Sequence, residues 1–167
     1  AENLDYFLNL QPSADVYLIF DIDCIPLNGH AIHLLIEKAS KGVLVGCAQR
    51  ANHISNNQHI YASAFCLAFS KETYDKIGRP SFRATSRGDV AEELTYKAEE
   101  CGVEVWVGWP THVENAKWNL VDGRRFGHGT TYDFGIYHQF FARFGKGEDF
   151  IRKCKDVLGE DEVSASE

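Results

Sequence analysis

The chain has 167 residues, 44% of them apolar and 25% charged, a balance that suits one globular domain with its own core and excludes a largely disordered polymer. The formal net charge of −7 lacks the basic excess of a protein that grips phosphate backbones, so nucleic acid is not an expected partner. No apolar run is long enough to span a bilayer and no secretory leader opens the chain, while five cysteines without C-x-x-C spacing fit buried thiols in a reducing compartment, so the expected location is cytoplasmic.

In chain order, Leu4 to Leu10 reads as a short helix stopped by Pro12. Val16 to Phe20 (V-Y-L-I-F) is a continuous apolar run, the pattern of a strand buried on both faces in a parallel sheet. Ala31 to Lys41 spaces Ile32, Leu35, Ile36 and Ala39 as a helix does, with Gly42 after it. Val43 to Cys47 is the next strand. From Ile60 to Ser70 bulky and small residues alternate, a strand with one thick and one thin face. Ser70 caps a helix running to Ile77. Asp89 to Cys101 is the clearest helix, with Asp89 and Glu92 spaced as a capping box and Val90, Leu94, Ala98 and Cys101 on one face. Val103 to Val107 reads as a strand. Two more helices are expected at 134–144 and 148–158. The acidic, aperiodic stretch 159–167 reads as a flexible tail behind a single domain over 1–158. This alternation predicts an α/β fold with a mainly parallel, mixed sheet flanked by helices.

The sharpest chemical signal is D-V-Y-L-I-F-D-I-D-C-I-P-L, Asp15 to Leu27. Asp21 and Asp23 follow an apolar strand directly, and ligands of open α/β sheets sit at the carboxyl ends of strands. Two adjacent carboxylates repel unless a cation lies between them. Oxygen donors favour Mg²⁺ or Mn²⁺, ions that keep open positions for phosphate oxygens. A plain turn or helix cap is the other reading of the pair.

From these residues onward the sequence resembles the GT-A glycosyltransferases, whose D-x-D after a core strand binds metal and nucleotide-sugar. Y-A-S-A-F-C-L-A-F-S-K-E-T-Y-D-K-I-G (Tyr61 to Gly78) is similar to that family's strand and short helix under the donor sugar. G-D-V-A-E-E-L-T-Y-K-A-E-E-C-G (Gly88 to Gly102) is similar to its acidic helix start, and F-G-H-G-T-T-Y (Phe126 to Tyr132) to a later segment that carries a metal-binding histidine in some members. The resemblance runs from about Asp15 to Tyr132 and implies a transferase that moves a sugar from a nucleoside diphosphate to an acceptor hydroxyl. Two departures stand out. Only twenty residues precede Asp21, so the nucleotide-binding portion is abbreviated, and the acidic helix start offers Asp89, Glu92 and Glu93 rather than an adjacent Glu-Asp pair.

Within that frame the expected metal ligands are Asp21, Asp23 and His128, which sits between two glycines. Asp89 is the candidate base and equally a helix cap; Glu92 is a second candidate, or the partner in the capping box. Arg124 and Arg125 are placed to meet a diphosphate, and Trp109 to wall the donor site. The expected partners are a nucleotide-sugar donor and a carbohydrate or other hydroxyl acceptor. The Asp-x-Asp also resembles the first motif of haloacid-dehalogenase-type phosphatases, yet Ile25 stands where that motif wants Thr or Val, and R-P-S-F-R-A-T-S-R rather than an apolar strand precedes Gly88. A non-catalytic carbohydrate- or protein-binding remnant of a transferase fold is the third alternative.

Overall fold

Asn28 accepts a hydrogen bond from the Ala31 amide at 3.1 Å and starts the helix expected from the Leu35 stripe, while Ser70 caps the next helix by accepting from the Thr73 amide at 3.0 Å. The computed structural model describes residues 2–10, 13–55, 58–145 and 147–159. In order these form α1 (Glu2–Leu10), β1 (Val16–Phe20), β2 (Cys24–Pro26), α2 (Gly29–Ser40), β3 (Leu44–Gln49), β4 (Tyr61–Ser70), α3 (Lys71–Lys76), α4 (Glu92–Glu100), β5 (Val105–Gly108), β6 (Pro110–Asn119), β7 (Arg125–Tyr132), β8 (Ile136–His138), a 3₁₀ turn (Ala142–Phe144) and α5 (Gly147–Leu158). Apart from Gly159, the expected acidic tail lies outside the described residues.

The chain is α/β, but the expectation of a mainly parallel sheet is corrected. Two four-stranded sheets form, ordered β1-β4-β3-β5 and β2-β8-β7-β6. In the first, only β3 and β5 run parallel; β4 is antiparallel to both β1 and β3. The second is antiparallel throughout. The apolar run of β1 lies at the edge of the first sheet, and only Tyr17 of the strand is fully buried. The helix expected at 134–144 is also corrected. Residues 136–138 pair with Cys24–Pro26 and with Thr130–Tyr132, and Gly135, Phe140 and Phe141 all carry positive φ, which no α-helix accommodates.

The first sheet is the middle layer. Val45, Cys47 and Ala68 face a core shared with α2 and the second sheet, including Leu35, Phe126, Tyr132 and Ile136. Leu44, Leu67 and Phe69 face the opposite core with Phe82, Leu94 and Ala98. The alternation of Leu44 and Val45 between the two cores follows from the strand's period of two.

One irregularity positions the site. Opposite β3 the register of β4 jumps, so that Gly46 pairs with Leu67 while Ala48 pairs with Ala62. Residues 63–66 bulge outward and turn Phe65 towards the second sheet, the re-aiming that strand bulges commonly provide. The bulge brings backbone close to Gly46, where an added Cβ would lie 2.8 Å from the Ala62 Cβ and 2.9 Å from the Cys66 carbonyl.

Candidate metal centre and its cavity

Strand β1 ends at Phe20, and the Asp21 amide donates to the Phe65 carbonyl at 3.0 Å, so the chain leaves the sheet at the bulge. The Cys24 amide returns to the Asp21 carbonyl at 3.1 Å and closes a tight turn over Asp21, Ile22 and Asp23. Cys24 then pairs with His138 across β2 and β8, and the Gln139 amide donates to the Asp23 carbonyl at 2.9 Å. The Asp pair is thus the joint at which the chain passes from one sheet to the other, and the register of that joint delivers a histidine.

The donor atoms of Asp21, Asp23 and His138 all lie within 4.8 Å of one another. His138 Nε2 is 3.3 Å from Asp23 Oδ1, and the Ala142 amide donates to Asp23 Oδ2 at 3.4 Å. The hydrogen bond from His138 holds the Asp23 carboxyl below its ordinary range, against the opposing effect of burial. The imidazole is fixed between two rings, with the Phe65 and Phe140 centroids each 3.9 Å away. Two carboxylates and an imidazole suit a divalent cation such as Mn²⁺ or Mg²⁺. His138 Nδ1 is buried with no hydrogen-bond partner among the described residues, whereas a ligating imidazole ordinarily donates its second N–H. The carboxylates are therefore the stronger part of the donor set.

These groups floor a cavity of about 460 Å³ that Gln49, Ser63 and Asp89 also line, with Tyr61, Val90, Phe140 and Phe141 around them. Asp89 thus shares the cavity with the Asp pair. Its side chain accepts from the Val90 amide at 2.7 Å, and its charge adds to burial in pushing up the phenol of Tyr61.

The expected capping box is only half present. Helix α4 starts at Glu92, after Ala91 in the left-handed region, so Asp89 does not cap it and its carboxylate is turned to the cavity. Glu92 is 0% exposed. Its Oε2 accepts from the Asp89 amide at 2.8 Å, and its Oε1 meets His59 Nδ1 at 2.8 Å. Glu92 does not line the cavity; it anchors the backbone that carries Asp89. His59 stacks on Tyr96 at 3.9 Å and reaches Glu99 with Nε2 at 3.3 Å.

The remaining sequence candidates lie elsewhere. His128, on β7, pairs with Asn115 and sets its ring against Phe141 at 5.7 Å; it is not one of the three clustered donors. Arg124 sits over the Trp109 ring at 4.2 Å and bonds Asp122, and neither residue lines the cavity. Arg125 begins β7, opposite Asn119, and is likewise outside the lining. Arg87 is held by Glu93 and Glu100, and Arg79 by Asp75. Among the described residues no Lys or Arg lines this cavity. His138, Gln49, Ser63 and Tyr61 escaped the sequence reading. For His138 the available signal was Gly135 followed by the short β-prone stretch Ile136–His138.

Comparison with known proteins returns no matching family model, no matching curated protein and no matching solved structure. The functional reading therefore rests on the site's own chemistry.

Proposed function

We propose that this chain is the catalytic part of a metal-dependent glycosyltransferase of GT-A type, moving a sugar from a nucleoside-diphosphate sugar to an acceptor hydroxyl. The observation that carries this reading is the convergence of Asp21, Asp23 and His138 donors within 4.8 Å on the floor of a cavity that also holds Asp89. Asp21 and Asp23 would hold Mn²⁺ or Mg²⁺, with His138 as third donor. The cation, when bound, offsets charge on the leaving diphosphate. Asp89, anchored through Glu92, is the group disposed to take the acceptor proton in an inverting reaction. Gln49 and Ser63, hydrogen-bonded to each other, present polar atoms to sugar hydroxyls.

Calorimetric titration with Mn²⁺, and Mn²⁺-dependent release of nucleoside diphosphate from UDP- and GDP-sugars, test the reading. Wild type binds the cation and turns over one donor, while Asp21→Asn and Asp23→Asn lose both. Failure of wild type to bind Mn²⁺, or turnover that survives Asp23→Asn, would refute it. One observation favours a second reading, a carbohydrate-binding module without turnover: among the described residues no Lys or Arg lines the cavity to receive a leaving diphosphate. That reading predicts saccharide binding with no diphosphate release in any metal.

A further inference from the structure

We propose that the Phe140–Phe141 turn is a ring platform and that Phe141 determines specificity by packing against the C–H face of a pyranose, whether from the donor or from the acceptor. The proposal rests on the transferase reading only in its expectation that the ligand is a sugar.

The backbone makes the first case. Phe140 and Phe141 have φ of 39° and 62°, two consecutive bulky residues in a region that disfavours any side chain. Such conformations persist where the surroundings over-determine them, and they concentrate at ligand clamps. The turn is fixed on both sides by Asp23, whose carbonyl takes the Gln139 amide and whose carboxylate takes the Ala142 amide.

Burial makes the second. Phe140 spends its strained geometry on the core, at 8% exposed between Phe65, His138 and Trp118. Phe141 does not. It is 44% exposed and lines the cavity, with Trp118, His128 and Phe144 within 6 Å of its ring. A turn needed only for packing would bury this ring or use glycine. Ile22, 91% exposed, and Val90, 37% exposed, line the same cavity. Three exposed apolar groups around a floor of carboxylates, amide and hydroxyl form an amphipathic site. A pyranose has the matching division, with C–H groups on its faces and hydroxyls at its edge.

The test uses the whole chain in Mn²⁺, with methyl pyranosides of glucose, galactose, mannose and N-acetylglucosamine alongside UDP- and GDP-sugars. Saturation-transfer NMR and calorimetry follow binding. At least one pyranose should bind through its ring C–H protons, Phe141→Ala should weaken it about tenfold, and Phe141→Trp should restore it. Mn²⁺ affinity should be equal in all three proteins, which also reports that the variants are folded. Loss of methyl pyranoside binding assigns the platform to the acceptor; loss confined to nucleotide-sugars, with free nucleoside diphosphate unaffected, assigns it to the donor. Three results would overturn the proposal: no pyranose binding to wild type, unchanged binding by Phe141→Ala, or an equal loss of free nucleoside diphosphate, which would make the ring a nucleobase platform. If wild type binds sugar through Phe141 yet takes up no Mn²⁺, the transferase reading falls and the platform stands.

Discussion

Replacing Glu92 by glutamine conserves volume and removes one charge from the anchor behind Asp89. Both carboxylate oxygens are engaged, Oε2 by the Asp89 amide and Oε1 by His59, each at 2.8 Å in a fully buried setting. An amide has one acceptor oxygen, so it serves one of these donors and sets its own NH₂ against the other. Losing a charged hydrogen bond and stranding a buried donor each cost about 1–3 kcal/mol, and about 3 kcal/mol in total is expected here. At roughly 2–4 °C per kcal/mol for a chain of this size, the melting temperature should fall by about 6–12 °C. The loss should depend on pH. Burial pulls the His59 pKa down, but the hydrogen bond to Glu92 and the charge of Glu99 outweigh it and hold the group above its ordinary value. A raised folded-state pKa stabilises fully below the unfolded value and fades as pH rises through the folded one. The gap between wild type and Glu92→Gln should therefore be wide near about pH 6 and narrower near about pH 9. Urea denaturation at both pH values, with NMR titration of the His59 ring, measures it. A gap below about 1 kcal/mol at the lower pH, or one that widens with pH, would refute the account.

The remaining expectations concern the bulge and the metal donors. Gly46→Ala should destabilise by about 1–3 kcal/mol in urea unfolding, because its Cβ meets the Ala62 Cβ and the Cys66 carbonyl below van der Waals distance. His138→Ala should weaken Mn²⁺ binding by about tenfold or more while His128→Ala leaves it unchanged; calorimetry giving the reverse order would return the third donor to His128. The lowered Asp23 pKa means that its native contacts contribute stability above the ordinary carboxylate pKa and lose it as pH falls through the depressed value. Asp23→Asn should therefore flatten the acid limb of the stability profile below about pH 4.

How much was legible in the chain depended on what each signal encodes. Amphipathic helices announce themselves: the Leu35 stripe became α2, the Leu94–Ala98 stripe became α4, and the Ser70 cap opened α3 at the expected residue. Strand partners are not encoded locally. The apolar run at Val16–Phe20 reads the same whether it lies in a parallel sheet's centre or at an antiparallel edge, and here it is at the edge. Strand β6 was hidden because most of its positions are solvent-facing and polar, and β7 because Gly127 and Gly129 dilute the strand signal. The aromatic run at 134–144 carries helical spacing by coincidence, and the positive φ values that break it fall partly on phenylalanines, which give no warning as glycine does.

The site divides in the same way. Asp21 and Asp23 were visible because a carboxylate pair directly after an apolar strand is chemically conspicuous. His138 lies 115 positions from Asp23, and it reaches the pair only through the Cys24–His138 register. The structure also shows how three carboxylates are held around one cavity with no lysine or arginine in its lining among the described residues. Asp23 leans on His138 and Asp89 on the Val90 amide, while Asp21 faces solvent. Each anion thus has a local partner or faces solvent, whereas an incoming diphosphate would need a cation. It would add negative charge to a site whose cationic side chains, among the described residues, amount to one imidazole already paired with Asp23, and like charges at close range repel. Divalent-cation dependence of nucleotide-sugar binding is therefore what this lining demands of the transferase reading, while cation-independent sugar binding is what the apolar rim alone would provide.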